Sequence, residues 1–183
     1  MSARNIVRYT GNSIDLCVFR QDEEAIEAYT RWMNDETILM WLGRNHKTAT
    51  YLSEKEFAEK HKENAIFNIV TKAGKLIGNC DIKMRGRNAN LGICIGEDFG
   101  RNKGYGTETI KLLIKFAFNE LNAHRVHLTL NGDNERAHRC YLKAGLVDCG
   151  VEHECHYYNG KWCDTIHMEI LKADWLDKQK EVR

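Results

Sequence analysis

Proline is absent from this 183-residue chain, and it holds neither a low-complexity linker nor an internal repeat. Also missing is any apolar run approaching the length of a membrane span, so no membrane partner is expected. The N-terminal stretch Met1–Gly11 is polar and lacks the apolar core of a secretory signal, which makes a cytoplasmic location the expectation. Neither sign of charge is in excess: 27 basic residues stand against 26 acidic ones, for a formal net charge of +1. No basic run interleaved with aromatics occurs, which argues against a nucleic-acid surface. What is present is an ordinary globular composition, 43% hydrophobic and 29% charged. The length suits one domain over residues 1–183 with a core at about 14–175.

Seven cysteines, at 17, 80, 94, 140, 149, 155 and 163, are odd in number and irregular in spacing, a poor disulfide framework. Reduced thiols are the expectation. The segment Cys149–His167 gathers Cys149, His153, Cys155, His156, Cys163 and His167 and so raises the question of zinc. Asn159-Gly160 between aromatic-rich runs reads as a two-residue hairpin turn. Pairing about it sets His156 opposite Cys163 and Cys155 opposite Asp164, so Cys155 and Cys163 fall on opposite faces of the sheet. Ligands of a tetrahedral site must converge, and no metal is expected.

Hydrophobic periodicity orders the chain. Ile14–Phe19 reads as a strand, and Asp22–Leu42 as helical, with Ile26, Tyr29, Trp32 and Met33 at helical spacing. Gly43–Thr50 is a loop, and Ser53 with Glu56 forms a capping box that starts a helix to about Lys62. Ile66–Thr71 and Leu76–Met84 are strands around a turn at Ala73-Gly74, and Asn90–Ile95 is a third. Gly104–Leu121 carries Ile110, Leu113, Ile114, Ala117, Phe118 and Leu121 on one helical face. Arg125–Leu130 alternates as a strand; Asp133 or Asn134 caps a helix to Ala144, which Gly145 ends in the left-handed region. Two strands close the sheet before a charged tail after Trp175. A mixed, mostly antiparallel α/β (α+β) sheet of about six to seven strands covered by helices is predicted.

The segment Ile93-Cys94-Ile95-Gly96-Glu97-Asp98-Phe99-Gly100-Arg101-Asn102-Lys103-Gly104-Tyr105-Gly106-Thr107 runs from a buried strand through a glycine-rich loop into the best helix of the chain. The first amides of a helix lack partners and its dipole is positive there, so this loop, with Arg101 and Lys103, suits a phosphate or pyrophosphate. The Walker form is excluded because no Gly-Lys-Ser/Thr follows, and the glycines are wrongly spaced for a dinucleotide fingerprint.

Downstream, Asn134, Ala137, Tyr141, Lys143 and Gly145 fall directly after a strand as N-x-x-A-x-x-x-Y-x-K-x-G. With these residues the chain resembles the GNAT superfamily of N-acetyltransferases. Arg101-Asn102-Lys103-Gly104-Tyr105-Gly106 is similar to its [QR]-x-x-G-x-[GA] coenzyme A loop. Arg31-Trp32-Met33-Asn34-Asp35 and the run His153–Trp162 look most like the ribosomal-protein and spermidine acetyltransferase branch. The resemblance covers about residues 14 to 175.

The resemblance implies a GNAT-like fold with helices on both faces of the sheet, and acetyl-CoA as co-substrate. Ile93, Cys94 and Ile95 would hydrogen-bond the pantetheine arm through their backbone, one amide polarising the thioester carbonyl. Amides of Asn102, Lys103, Gly104, Tyr105, Gly106 and Thr107, with Arg101, would cradle the pyrophosphate, while Asn134 and Lys143 serve from the later helix. Tyr141 would be the general acid that protonates the departing thiolate. A phenol near pKa 10 against a thiol near 8.5 makes full transfer uphill by about 2 kcal/mol, tolerable for a hydrogen bond that strengthens as charge develops. Spacing alone also allows Tyr141 to be a packing residue, on one face with Ala137 and Ala144.

The acceptor amine must be neutral to attack. Deprotonation at pH 7 costs roughly 4.6 kcal/mol for a lysine-like amine and about 1 for an α-amine. Many relatives carry Ala-Glu-x-Gly on the fourth strand; here it is Ala89-Asn90-Leu91-Gly92, and Asn90 cannot take a proton. The base stays unassigned, and an α-amine or amino sugar is the expected acceptor. The acceptor pocket is expected in Asp22–Lys62 and the last hairpin, with Trp32, Trp41 and Tyr51 as lining or core. Glu23, Glu24, Asp35 and Glu36 read as a cation lure or a solvated face. The alternative function is a GNAT-like sensor that binds acetyl-CoA without turnover. Cys94 or Cys140 as a covalent acyl carrier lacks a histidine placed to activate it, so direct transfer is expected. The state is monomer or homodimer.

Overall fold

In the computed structural model, residues 5–42, 48–61, 65–158 and 160–181 are described. The strands are β1 (Val7–Thr10), β2 (Ile14–Val18), β3 (Ile66–Thr71), β4 (Leu76–Arg85), β5 (Asn88–Ile95), β6 (Arg125–Asn131), β7 (Val147–Tyr158) and β8 (Lys161–Leu171). The helices are α1 (Glu23–Trp32), α2 (Glu36–Leu42), α3 (Tyr51–Lys60), α4 (Tyr105–Asn119), α5 (Glu135–Ala144) and α6 (Lys172–Glu181). The strands form one eight-stranded sheet in the order β1-β2-β3-β4-β5-β6-β8-β7. β5 and β6 are parallel, while β1–β2, β2–β3, β3–β4, β6–β8 and β7–β8 are antiparallel. This is the mixed, mostly antiparallel sheet with helices that the periodicity predicts, with one strand more.

The chain divides into two compact units, Met1–Asp81 with Ile93–Thr109 and Ile82–Gly92 with Ile110–Arg183. In the first, α1 turns Ala25, Ile26, Ala28, Tyr29 and Trp32 into a core with Phe19, Ile38, Ala58 and Cys94. Each large side chain so buried contributes about 1.5–3 kcal/mol. Asp22 caps α1 by accepting from the Ala25 amide, and Arg20 grips Asp22 from both guanidinium sides at 2.7 Å. The core is anchored on Asn68, whose Oδ1 accepts from the Arg20 amide at 2.8 Å and the Tyr29 hydroxyl at 3.0 Å. A buried amide costs stability unless its partners are present, and here they are.

In the second unit the α4 stripe Ile110, Leu113, Ile114, Ala117 and Phe118 is buried, as are Val126, Leu128 and Leu130 of β6 and Met168 and Ile170 of β8. α5 is capped by Asn134, whose Oδ1 accepts from the Ala137 amide at 3.1 Å, and ends at Gly145 with φ 106°.

Four local expectations are corrected. α3 starts at Thr50, not Ser53: Thr50 Oγ1 accepts from the Ser53 amide and Ser53 Oγ from the Thr50 amide, so the capping box lies three residues earlier. Its first-turn residues Tyr51 and Leu52 are exposed, so apolar periodicity does not mark this start. β1 was not anticipated because it is only four residues long and mostly exposed, so Val7 and Tyr9 alternate over too short a stretch to stand out. The tail after Trp175 is not a loose end but part of α6, docked by the Trp175 ring on Phe118 at 5.3 Å, Lys172 Nζ to the Phe118 carbonyl and Lys178 Nζ to the Gly145 carbonyl. In the last hairpin His156 does pair with Cys163, but the register shifts between Glu152 and His156, with Glu154 at φ 50°. The bulge carries Cys155 Sγ to within 3.0 Å of Thr165 Oγ1, so strict alternation fails there. The predicted loop at Gly43–Thr50 falls partly, and Asn159 and Lys62 wholly, outside the described residues.

Candidate active site

The glycine-rich turn read in the sequence as a phosphate site lies in the first unit. β5 ends at Ile95, a single 3-10 turn covers Asp98–Gly100, and α4 begins at Tyr105. Asn102 (φ 59°) and Gly104 (φ 82°) hold left-handed backbone between them. A Cβ added at Gly104 would meet nothing within 4 Å, so the glycine answers the backbone conformation and leaves open space over the turn. Asn102, Lys103 and Gly104 are exposed, while Arg101, Tyr105, Gly106 and Thr107 are half-buried. The Arg101 guanidinium pairs with Asp98 at 2.6 Å, which offsets part of its charge, and Lys103 carries a full charge at the surface.

Two carboxylates, Glu108 and Glu97, hold this turn. Glu108, in the first turn of α4, accepts from the Ser13 amide at 2.9 Å. Glu97 accepts from the Trp32 indole N–H at 3.0 Å and from Arg31. Gly96 lets the backbone pass over the Trp32 ring, where an added Cβ would lie 2.1 Å from Cδ2. Trp32 is therefore a core residue, 1% exposed, and not a pocket wall. Asn34 ties the end of α1 to the approach of α3, its Nδ2 donating to the Ala49 carbonyl at 2.8 Å and its Oδ1 accepting from the Ala49 amide.

Of the acidic residues read as a cation lure or solvated face, Glu24 accepts from Arg20 at 2.6 Å and Asp35 caps α2 through the Thr37 amide and hydroxyl. The Thr37 hydroxyl holds the Asp35 carboxyl below the usual carboxylate range. Ile93 and Ile95 are half-buried, and Cys94 belongs to the α1 core.

The second constellation lies in the second unit, on α5. Tyr141 is buried at 9% exposure, Asn134 is buried at the N-cap, and Lys143 is exposed. In the same unit β5 and β6 register as Asn88 with Arg125, Ala89 with Val126 and Asn90 with His127. Asn90 Nδ2 lies 3.3 Å from His127 Nδ1. Burial, reinforced by Arg125, holds the His127 imidazole below its ordinary value of 6.5. This contact was not legible in the sequence because it is set by cross-strand register 37 residues away, which periodicity does not encode. None of the seven cysteines is in a disulfide, and no group of three or more His, Cys, Asp or Glu able to hold a metal occurs among the described residues.

A glycine-rich turn opening a helix, followed by a strand and an Asn-capped helix bearing a buried tyrosine, is the order of elements that the sequence motifs call for. The chain belongs to the acetyltransferase (GNAT) domain family, whose model matches residues 15–147. It is 29% identical over 75 residues to the uncharacterized N-acetyltransferase YnaD of Bacillus subtilis, covering 41% of this chain and 44% of that protein. It is 31% identical over 110 residues to the spermidine N(1)-acetyltransferase of Escherichia coli K12, covering 60% of this chain and 58% of that protein. These matches span about half the length of the curated relatives. The solved spermidine N-acetyltransferase of Vibrio cholerae, in complex with CoA and spermine, superposes with a TM-score of 0.79 at 22% identity, covering 91% of this chain and 99% of that one. At that identity the likeness shows the fold.

Proposed function

We propose that this chain is an N-acetyltransferase that moves an acetyl group from acetyl-CoA to a primary amine by direct attack in a ternary complex. The observation that carries this reading is the Asn102–Gly104 turn, left-handed, exposed and opening onto the first amides of α4. Its open space, exposed Lys103 and helix start suit a pyrophosphate, so the residues present fit the co-substrate. When bound, acetyl-CoA supplies a thioester whose acyl carbon is the electrophile. The backbone of Asn102–Thr107 holds phosphate oxygens, with Arg101 and Lys103 adding charge, and Ile93–Ile95 orient the pantetheine through main-chain groups. Asn134 and Lys143 serve from α5. The family match runs through both compact units, which supports reading them as parts of one acetyltransferase domain.

Tyr141 is the general acid in this reading. Its burial at the motif position keeps a phenol out of bulk water, where a hydrogen bond to developing charge is worth more. Tyr141→Phe removes only the hydroxyl. Thiol release from acetyl-CoA, measured over α-amino peptides, amino sugars, polyamines and aminoglycosides, should fall by at least about ten-fold in kcat while acetyl-CoA affinity holds. Unchanged turnover would remove Tyr141 from the mechanism. Asn90 in place of a carboxylate favours an α-amine or amino sugar, whereas the relatives named for spermidine favour a polyamine. Rapid acetylation of spermidine near neutral pH would decide for the latter.

A further inference from the structure

A turn that holds phosphate oxygens gains from positive charge, yet the segment 97–108 carries three carboxylates, Glu97, Asp98 and Glu108, against two cations, Arg101 and Lys103. Two of the three carboxylates are engaged by groups outside the segment. Glu97 accepts from the Trp32 indole and from Arg31, and Glu108 accepts from the Ser13 amide at 2.9 Å. Asp98 instead meets the segment's own cation, its Oδ1 lying 2.6 Å from Arg101 Nη1. All of these residues belong to the first compact unit.

The two partners differ in how firmly they are placed. The Arg101 side chain is 16% exposed and that of Asp98 84%. The guanidinium is therefore covered, whereas the carboxylate stands in water and can swing away at no cost in burial. Beneath them the Arg101 amide donates to the Asp98 carbonyl at 3.0 Å and closes the 3-10 turn, so the backbone holds when the side chains part. Another carboxylate feels the same cation: the Thr37 hydroxyl chiefly holds Asp35 below the usual range, and the Arg101 charge adds to the effect.

We infer that Asp98 is a built-in counter-ion that competes with phosphate oxygens for the Arg101 guanidinium and so keeps coenzyme A affinity down; the inference rests on the acetyl-CoA reading above. Carboxylate and phosphate offer a guanidinium the same feature, oxygens spaced for its N–H fork, so one must withdraw for the other to bind fully. An exposed pair of this kind shifts an equilibrium by at most about five-fold. Asp98 thus tempers binding without closing the turn, and the first α4 amides and Lys103 keep their part.

Acetyl-CoA and coenzyme A carry the same phosphates, so Asp98 acts on co-substrate and product alike. Binding given up equally in the ground state and the transition state raises KM and leaves the chemical step alone. The product also leaves more readily. Asp98 is accordingly a positioning residue that works through Arg101, and not a catalytic one.

The test is calorimetric titration of the full chain with coenzyme A, for the unsubstituted protein, Asp98→Asn, Arg101→Ala and the double variant. Asp98→Asn should tighten binding by about three- to five-fold, whereas loosening of the turn, the outcome of a purely structural role, would weaken it. With the guanidinium gone in Arg101→Ala, adding Asp98→Asn should change affinity by less than about 1.5-fold. In thiol-release kinetics Asp98→Asn should lower KM for acetyl-CoA without raising kcat. Coenzyme A bound equally or more weakly by Asp98→Asn overturns the proposal and leaves acetyl transfer standing. An equal gain with and without Arg101, or a raised kcat, also overturns it. Failure of the unsubstituted chain to bind coenzyme A overturns the acetyl-CoA reading, and this proposal with it.

Discussion

Replacing Gly96 by alanine tests how the glycine-rich turn before α4 is held. An alanine Cβ at this position would lie 2.1 Å from Trp32 Cδ2 and 2.3 Å from both Cγ and Cε2. Carbon atoms in contact sit about 3.5–4.0 Å apart, so ring and Cβ must separate by about 1.5 Å. The atoms met are the body of the indole, and the ring has little room to yield. Trp32 is 1% exposed, its Nε1–H donates to Glu97 Oε1 at 3.0 Å, and Tyr29 lies against it with centroids 5.7 Å apart. Overpacking of this kind costs about 1–3 kcal/mol; with a locked ring the upper end applies, or about 6–12 °C in Tm for a chain of this size. Thermal and guanidinium unfolding of Gly96→Ala measure it. The cause is isolated by repeating the substitution in Trp32→Leu, where the ring is gone and the two changes should couple by about 2 kcal/mol. A Gly96→Ala protein melting within about 1 °C of the parent, or additive changes, would refute this account of the turn.

Gly145→Ala should cost about 1–2 kcal/mol, because φ 106° is strained for any side chain, whereas Gly150→Ala, with open space around its Cβ, should change stability by less than about 0.5; chemical denaturation compares them. The Arg20 guanidinium holds Asp22 below its ordinary 3.8. A depressed carboxyl adds stability that is complete above 3.8 and is lost as pH falls through the lower folded value, so unfolding followed from pH 7 to about pH 2 should steepen below 3.8, and Asp22→Asn should flatten that limb. Burial pushes the Cys17 thiol up to about 11 and Cys80 well above its ordinary value, while Cys149 and Cys155 are exposed. Iodoacetamide at about pH 8 should label Cys149 and Cys155 first and reach Cys17 and Cys80 only after unfolding, as read by peptide mapping.

Legibility in the sequence followed the physics of each element. β3 and the Gly145 stop of α5 were readable to the residue, and the α5 cap to a choice of Asp133 or Asn134, because a buried strand and a capped amphipathic helix write their boundaries in local side chains. β1 was not readable, since a four-residue edge strand with little buried surface is too short for its alternation to be told from chance. The α3 start was misplaced by three residues because two hydroxyl residues three apart, Thr50 and Ser53, form a box as good as the Ser53–Glu56 pair the pattern suggests. The glycine-rich turn was legible as a strand-to-helix loop, though its left-handed backbone at Asn102 and Gly104 was not anticipated, and Tyr141 was placed on α5 as its motif suggested. The Asn90–His127 contact was not legible, because it comes from cross-strand register, a fact of the sheet and not of either segment. The same holds for Cys155, turned by a bulge that no composition announces.

The decisive measurement is mass spectrometry of the acceptor amines after incubation with acetyl-CoA and the full chain. Acetylated amine should accumulate in proportion to time and protein, and Tyr141→Phe should slow it while still binding acetyl-CoA. Tight acetyl-CoA binding with no acetylated amine above the protein-free control, across every amine class, would contradict acetyl transfer.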